Sequence, residues 1–324
     1  MTYLPWHQAA ADTMHAVIRQ GQLTHAWLMH GTRGTGRGQF ALALAQYLLC
    51  EQPEPTGACG QCPSCHWFSA ETHPDSLLIS PESEGKAIRV DQIRDLIEKL
   101  SLTPHGKQGR RVVIISPAEA LNRQAANSLL KSLEEPPPNT YFFLITAELS
   151  ALPATIRSRC QLLKLPSASA EQAKAWLEQV SGGNADTQMA LEIADNAPLV
   201  AGELLESGAV STYQQFFREF IQAVSEPVPA NQMAEQWLKQ AEYMPINWML
   251  RWLSVLIKLK QANTATDSSL FKEQDVKSLL QLLTLEQLFR FYDDVLEANR
   301  LWSAPLNRRL QLESLFSKWL ALFQ

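Results

Sequence analysis

The sequence predicts an α/β domain built on a parallel sheet, followed by a region that is helical throughout. Three observations carry this. Between residues 26 and 165, short apolar runs of strand length alternate with stretches of helical period. The first run leads through a glycine-rich loop into a helix, the unit from which sheets covered by helices on both faces are assembled. Beyond Pro166 the strand-like runs stop and only helical period remains.

In chain order, Ala26-Trp27-Leu28-Met29 reads as a buried strand, and Phe40, Leu44, Tyr47 and Leu48 mark the helix after the glycine loop. Ser76-Leu77-Leu78-Ile79 is the second strand. The next helix has Asp91 as its expected N-cap and Ile93, Leu96, Ile97 and Leu100 on one face. Arg111 to Ile115 is a strand, and Leu121 to Leu133 a helix stopped by Pro136-Pro137-Pro138. Strands at Tyr141 to Thr146 and Cys160 to Leu165 complete the sheet. Three short helices are expected between Glu171 and Glu206, broken at Ser181-Gly182-Gly183 and Ala197-Pro198. Longer helices follow, with loops around Glu226-Pro229 and Asn263-Ser269. The expected domains are 1–166, 167–208 and 209–324.

Composition narrows the function classes. The 324 residues are 46% hydrophobic and 19% charged, enough for a substantial core throughout. A net charge of −5 argues against a stand-alone nucleic-acid binder held by a basic surface. No apolar run of about twenty residues and no secretory leader is read, so the expectation is a cytoplasmic protein without a membrane partner.

Four cysteines, Cys50, Cys59, Cys62 and Cys65, fall in the pattern C-x8-C-x2-C-x2-C, with Cys160 far away. Two-residue gaps let thiolates turn back onto one ion, and Gly60 and Pro63 stand where tight turns are needed. Residues 52–57 read as a loop returning Cys50 to the other three. Four thiolates leave no open coordination position, so structural zinc is expected, with disulfides or free thiols as the alternative. His66 is the nearby substitute ligand.

The loop Gly31-Thr32-Arg33-Gly34-Thr35-Gly36-Arg37-Gly38 matches G-x-x-x-x-G and then departs from the K-[ST] that completes a phosphate-binding loop. Arg37 keeps a charge on a bulkier head, while Gly38 removes the hydroxyl that would hold magnesium. After Ile115 the sequence gives Ser116-Pro117 in place of an acidic pair, and Glu119 comes two positions late. The expectation is a glycine turn kept for fold geometry, with no ATP bound productively.

Several stretches resemble one family. Asn127-Ser128-Leu129-Leu130-Lys131-Ser132-Leu133-Glu134-Glu135-Pro136-Pro137 is similar to a helix of the bacterial DNA polymerase III clamp-loader subunits. Phe143-Leu144-Ile145-Thr146, then Leu152-Pro153-Ala154-Thr155-Ile156-Arg157-Ser158-Arg159-Cys160, resembles the end of the same domain. The cysteines, their spacing and their place after the first helix are shared with that family, and the degenerate loop with the missing acidic pair narrows the resemblance to its delta-prime branch. The resemblance is specific from about Tyr3 to Glu206.

It implies a AAA+ domain carrying a zinc module at 50–65, a small helical lid and an all-α collar. It also implies a non-hydrolysing stator in a ring with gamma/tau-type motor subunits and a clamp-opening delta subunit. That ring would load a sliding clamp on primed DNA, as part of a polymerase holoenzyme, without intrinsic ATPase here. Arg159 is implied to act in trans on a neighbour's ATP as an arginine finger, with Arg157 as runner-up. From the residues alone, Arg159 reads as a surface or ion-paired arginine. The nucleotide-sensing arginine that motor members carry in the lid is missing from Asn196-Ala201, and Thr146 is left to cap its strand. The competing readings are an active DNA-linked ATPase and a stand-alone zinc-dependent nucleic-acid binder.

Trp248, Trp252, Leu256 and Leu259, and Leu285, Leu288, Phe289 and Tyr292, follow helical spacing and read as bundle core, with an exposed partner face as the alternative. Arg89, Arg94, Lys99, Lys107, Arg110 and Arg111 read as a solvated basic face, with weak phosphate contact to DNA as the alternative.

Overall fold

The computed structural model describes residues 2–83, 85–183, 185–225, 228–239, 245–262, 273–302 and 306–323. Residues 226–227 of the loop expected at 226–229, and the whole of the loop expected at 263–269, lie outside the described residues. The chain divides into two compact units, Met1–Trp176 with Ala197–Leu199, and Leu177–Asn196 with Val200–Gln324.

In the first unit α1 (Gln8–Arg19), β1 (Ala26–His30), α2 (Arg37–Leu49), α3 (Pro63–Ser69), β2 (Ser76–Ile79) and α4 (Val90–Leu100) follow one another. Then come β3 (Arg111–Ile115), α5 (Arg123–Glu134), β4 (Thr140–Thr146), α6 (Ala154–Arg157) and β5 (Gln161–Lys164). The strands pair in the order β2-β3-β4-β1-β5, all parallel. Their near-continuous apolar runs follow from burial on both faces. Trp27, Met29, Val112, Ile114, Phe143 and Ile145 pack with Phe40, Leu44 and Leu48 of α2. The alternate residues Leu28, Val113, Ile115, Phe142 and Leu144 pack with Ile93 and Leu96 of α4 and with Leu129 and Leu133 of α5. Each such buried side chain contributes about 1.5–3 kcal/mol of transfer free energy.

Helix starts differ from the sequence expectation in two places. Arg89, not Asp91, is the extended residue before α4, and the Gln92 side chain accepts from its N–H at 3.0 Å. Asp91 already lies inside the helix, where it pairs with Arg94 at 3.1 Å. The helix expected from Leu121 begins at Arg123, because Asn122 caps it by accepting from the Ala125 N–H at 2.8 Å. Leu121 is instead held in a parallel bridge with Ile88.

The basic face also needs correction at Arg111, which is 3% exposed. Its guanidinium donates to the carbonyls of Lys99, Leu100 and Leu102 at 3.1 Å each, satisfying orphan acceptors at and just beyond the end of α4. It also pairs with buried Asp75 at 3.5 Å. Lys107 pairs with Glu51 at 2.8 Å, and Arg110 donates to the Leu48 carbonyl at 3.4 Å.

Helix α7 (Ala170–Ser181) leaves the first unit, and α8 (Thr187–Ile193) and α9 (Pro198–Glu206) give the three short helices expected there. The rest of the second unit comprises α10 (Ala209–Ser225), α11 (Ala230–Lys239), α12 (Pro245–Ala262), α13 (Glu273–Leu282), α14 (Leu285–Leu301) and α15 (Arg308–Ala321). Its core is aromatic: Phe216 stacks on Trp237 at 4.3 Å, and Phe220 on Trp319 at 4.1 Å. Trp248, Trp252 and Leu256 are buried, while Leu259 is half-buried. On α14 the buried stripe is Leu288, Phe291 and Val295, and Phe289 is exposed. Among the described residues, no helix is long and apolar enough to cross a membrane.

Candidate functional site

The glycine loop sits at the carboxyl end of β1, between β4 and β5, where open α/β sheets hold ligands. Gly36 ends the loop at φ +87°, a left-handed conformation that only glycine adopts freely, and α2 begins at Arg37. A Cβ on Gly36 would stand 2.2 Å from Leu4 Cδ1, and one on Gly31 would stand 2.8 Å from the Leu165 carbonyl oxygen. Both glycines are therefore needed by the chain itself. The N-terminal segment packs against the loop, with Leu4 and Trp6 buried and Trp6 Nε1 donating to the Thr35 carbonyl at 2.8 Å. Leu199 N–H donates to the Gly34 carbonyl at 3.2 Å, and the Thr35 hydroxyl to the Thr32 carbonyl at 2.8 Å.

Arg37 is half-buried, and desolvation lowers its pKa, with the Glu119 charge opposing that effect and Arg33 adding to it. Glu119 accepts from the Ala147 N–H at 3.1 Å, so its carboxylate is tied to the turn after β4. Gly38 offers no side chain for a metal. Thr146 is fully buried and exchanges hydrogen bonds with the Glu148 backbone at 3.0 Å, which caps its strand.

Arg159 stands just before β5. Buried Leu152, Ile156 and Cys160 anchor its segment in the core, and burial pushes the Cys160 thiol up to about 12, so it stays neutral. The Arg159 side chain is partly exposed and bound within the chain. Nε donates to Glu134 Oε1 at 2.6 Å, Nη2 pairs with the same oxygen, and Nη1 donates to the Thr155 carbonyl at 3.0 Å. Arg157 is exposed.

The four cysteines come together. Their Sγ atoms all lie within 4.8 Å of one another, with Cys50–Cys59 at 3.5 Å and Cys50–Cys62 and Cys59–Cys65 at 4.0 Å. A tetrahedral ion with bonds of about 2.3 Å needs sulfurs about 3.8 Å apart, so the set fits a metal and none of the cysteines is disulfide-bonded. Gly60 takes the turn at φ +72°, and Glu54 and Gly57 pair across the loop that returns Cys50. Pro63 opens α3, whose N-cap Cys62 accepts from the Cys65 N–H at 3.4 Å. Backbone N–H groups hold the Cys59 thiol down at about 7, while burial raises Cys50 and Cys65. A dication held by Cys50, Cys59, Cys62 and Cys65 would supply the charge that lets all four ionise together.

Two parts of this surround were not legible beforehand. The closing role of Leu4 and Trp6 had no motif to announce it. Glu134 lies at the end of the α5 sequence with no local signal to join it to Arg159, 25 residues on.

The family model for the DNA polymerase III delta subunit matches residues 6–169, and that for its C-terminal part matches residues 207–320. The chain is 32% identical to the DNA polymerase III subunit delta′ of Pseudomonas aeruginosa, over 98% of this chain and 97% of that one. It is 36% identical to the tau subunit of Escherichia coli, over 49% of this chain and 24% of that one. In fold it is similar to a gamma subunit-related protein of Thermotoga maritima, with a TM-score of 0.53 at 21% identity, covering 97% of this chain and 100% of that one. By its sequence along nearly its whole length, the chain belongs to the delta-prime subunits of the bacterial DNA polymerase III clamp loader.

Proposed function

We propose that the chain is a non-hydrolysing stator of the clamp loader, working in the cytoplasm beside gamma/tau-type motor subunits and a clamp-opening delta subunit. The observation that carries this reading is that the glycine turn serves the chain's own packing, against Leu4 and Trp6 on one side and the Leu165 carbonyl on the other. The loop also lacks the lysine and the hydroxyl that phosphate and magnesium require. Clamp and primed DNA are met through the complex. In the proposed division, residues 167–208 act as a lid and 209–324 as the collar.

Its contribution to chemistry is Arg159, offered to ATP on a neighbouring motor subunit. A permanently charged guanidinium against a γ-phosphate stabilises the charge that develops as the phosphoryl group departs. An arginine supplied in trans in this way is worth roughly a thousandfold or more in rate. Cys50, Cys59, Cys62 and Cys65 hold zinc in a closed, structural site.

The test is reconstitution with motor and clamp-opening subunits. Arg159→Ala is expected to leave assembly intact while lowering DNA-stimulated ATPase and clamp loading. Magnesium-dependent binding of a fluorescent ATP analogue by the isolated chain, with turnover, would overturn the stator reading.

A further inference from the structure

Glu134 is the last residue of α5, and Glu135 follows it. A carboxylate here faces the negative end of a helix dipole, an unfavourable position for it. Arg159 relieves this by reaching back across 25 residues of sequence, and the pair remains solvent-accessible, at 31% for Arg159 and 49% for Glu134. Such a pair adds little to folding stability. Its consequence lies in what it does to the guanidinium.

A guanidinium carries five N–H donors. Four contacts are made: Nε and Nη2 to Glu134 Oε1, and Nη1 to the Thr155 carbonyl and, at 3.4 Å, the Ser158 hydroxyl. One donor on Nη2 is left. Arginine grips phosphate best through two parallel N–H groups, so one of the present acceptors has to give way. Thr155 and Ser158 belong to the same local segment as Arg159 and are neutral. Glu134 belongs to another helix, is negatively charged, and would repel an arriving phosphate.

We propose that Glu134 masks the charge of Arg159, and that the arginine engages a neighbouring subunit's nucleotide by exchanging the Glu134 carboxylate for phosphate. The proposal rests on the arginine-finger reading of Arg159. Glu134 sets how readily the arginine is released and touches no nucleotide itself. It acts as a brake on ATP use by the neighbouring subunit.

Glu134→Gln keeps the side chain's size and an acceptor oxygen while removing the charge. In the reconstituted complex without DNA it should raise ATPase, or lower the KM for ATP, by about two- to fivefold, the factor a surface ion pair supports. The gain should shrink as salt rises from about 50 mM to about 300 mM, because salt screens an exposed pair. Glu134→Ala should behave likewise, and the Glu134→Gln/Arg159→Ala double variant should match Arg159→Ala alone. Thermal melting of each isolated variant checks that the fold is kept. ATPase unchanged or lowered in Glu134→Gln, while Arg159→Ala still loses activity, would overturn the mask and leave the finger standing. A gain that persists without Arg159 would also overturn it. If Arg159→Ala itself changes nothing, the finger reading falls and the mask falls with it.

Discussion

The Trp6 indole N–H is bonded to the Thr35 carbonyl at 2.8 Å, which packs the N-terminal segment against the glycine loop. Leu4 lies beside it, against Gly36. The glycines that look like a phosphate cradle are thus occupied in holding the chain's own apolar residues.

Gly36→Ala tests that relationship directly. The left-handed φ of +87° and the approach of Leu4 both oppose a Cβ, and the expected destabilisation is about 1–3 kcal/mol in urea unfolding. Leu4→Ala costs stability by itself but should be partly compensatory in the Gly36→Ala background, because it removes the clash and leaves only the backbone strain. Strictly additive effects in the double variant would show that the two residues do not meet.

A pH dependence follows from His7, which is fully buried between Trp6 and Phe40. Desolvation lowers its pKa from 6.5 to about 4, and the Pro166 carbonyl only partly opposes this. Between those values the unfolded chain binds a proton that the folded chain refuses. Stability is therefore complete above about 6.5 and falls as pH falls toward about 4. Burial lowers His15 and His73 in the same direction. Replacing His7 by Phe should flatten the acid limb of a stability-versus-pH curve by on the order of 1–2 kcal/mol, discounted for residual solvent screening. An unchanged slope would mean that this imidazole does not govern it.

The sheet was legible because each central strand is buried on both faces and so carries an unbroken apolar run, as in Val112 to Ile115 and Phe142 to Ile145. The cysteine cluster was legible because its spacing is local. Contacts between distant segments were not. Arg111 reads as one more cation in a basic stretch until β3 pairs beside β2 and brings it to Asp75, 36 residues earlier. Helix starts slipped because a cap depends on which residue turns extended, and several polar residues compete for that position. Phe289 followed helical spacing, but spacing alone does not say which side of α14 faces the bundle.

The Asp75–Arg111 pair should be costly to break. Asp75 is fully buried and accepts from the His105 and Gly106 N–H groups at 2.8 and 2.7 Å. Removing Arg111 leaves that carboxylate without its countercharge and orphans three carbonyls around the end of α4. Arg111→Ala should lose about 3–5 kcal/mol in equilibrium unfolding, the usual cost of a buried charge left unpaired. Exposed Arg94→Ala should lose well under 1 kcal/mol. Similar losses from both would mean that Arg111 is not buried against Asp75.

The metal module should be separable from ATP turnover. The same loop that Asp75 holds reaches the module, because Lys107 pairs with Glu51 at 2.8 Å and Gln108 donates to the Glu51 carbonyl at 3.2 Å. Ser64, beside Cys65, donates to the Leu49 carbonyl at 2.7 Å and meets His73 Nε2 at 2.7 Å. The cluster is therefore tied to α2 and to the approach to β2, so losing the ion should loosen residues 50–75 before the sheet. Elemental analysis should find one zinc per chain, and Cys62→Ser should abolish it. Removing the metal should cost several kcal/mol of local stability, seen as faster amide exchange confined to the module. The Arg159 segment is anchored in the core of the sheet domain and not in the module. Complexes reconstituted with Cys62→Ser should thus retain DNA-stimulated ATPase within about twofold, a change worth well under 1 kcal/mol. Loss of turnover on the scale of Arg159→Ala would show instead that the module directs the finger.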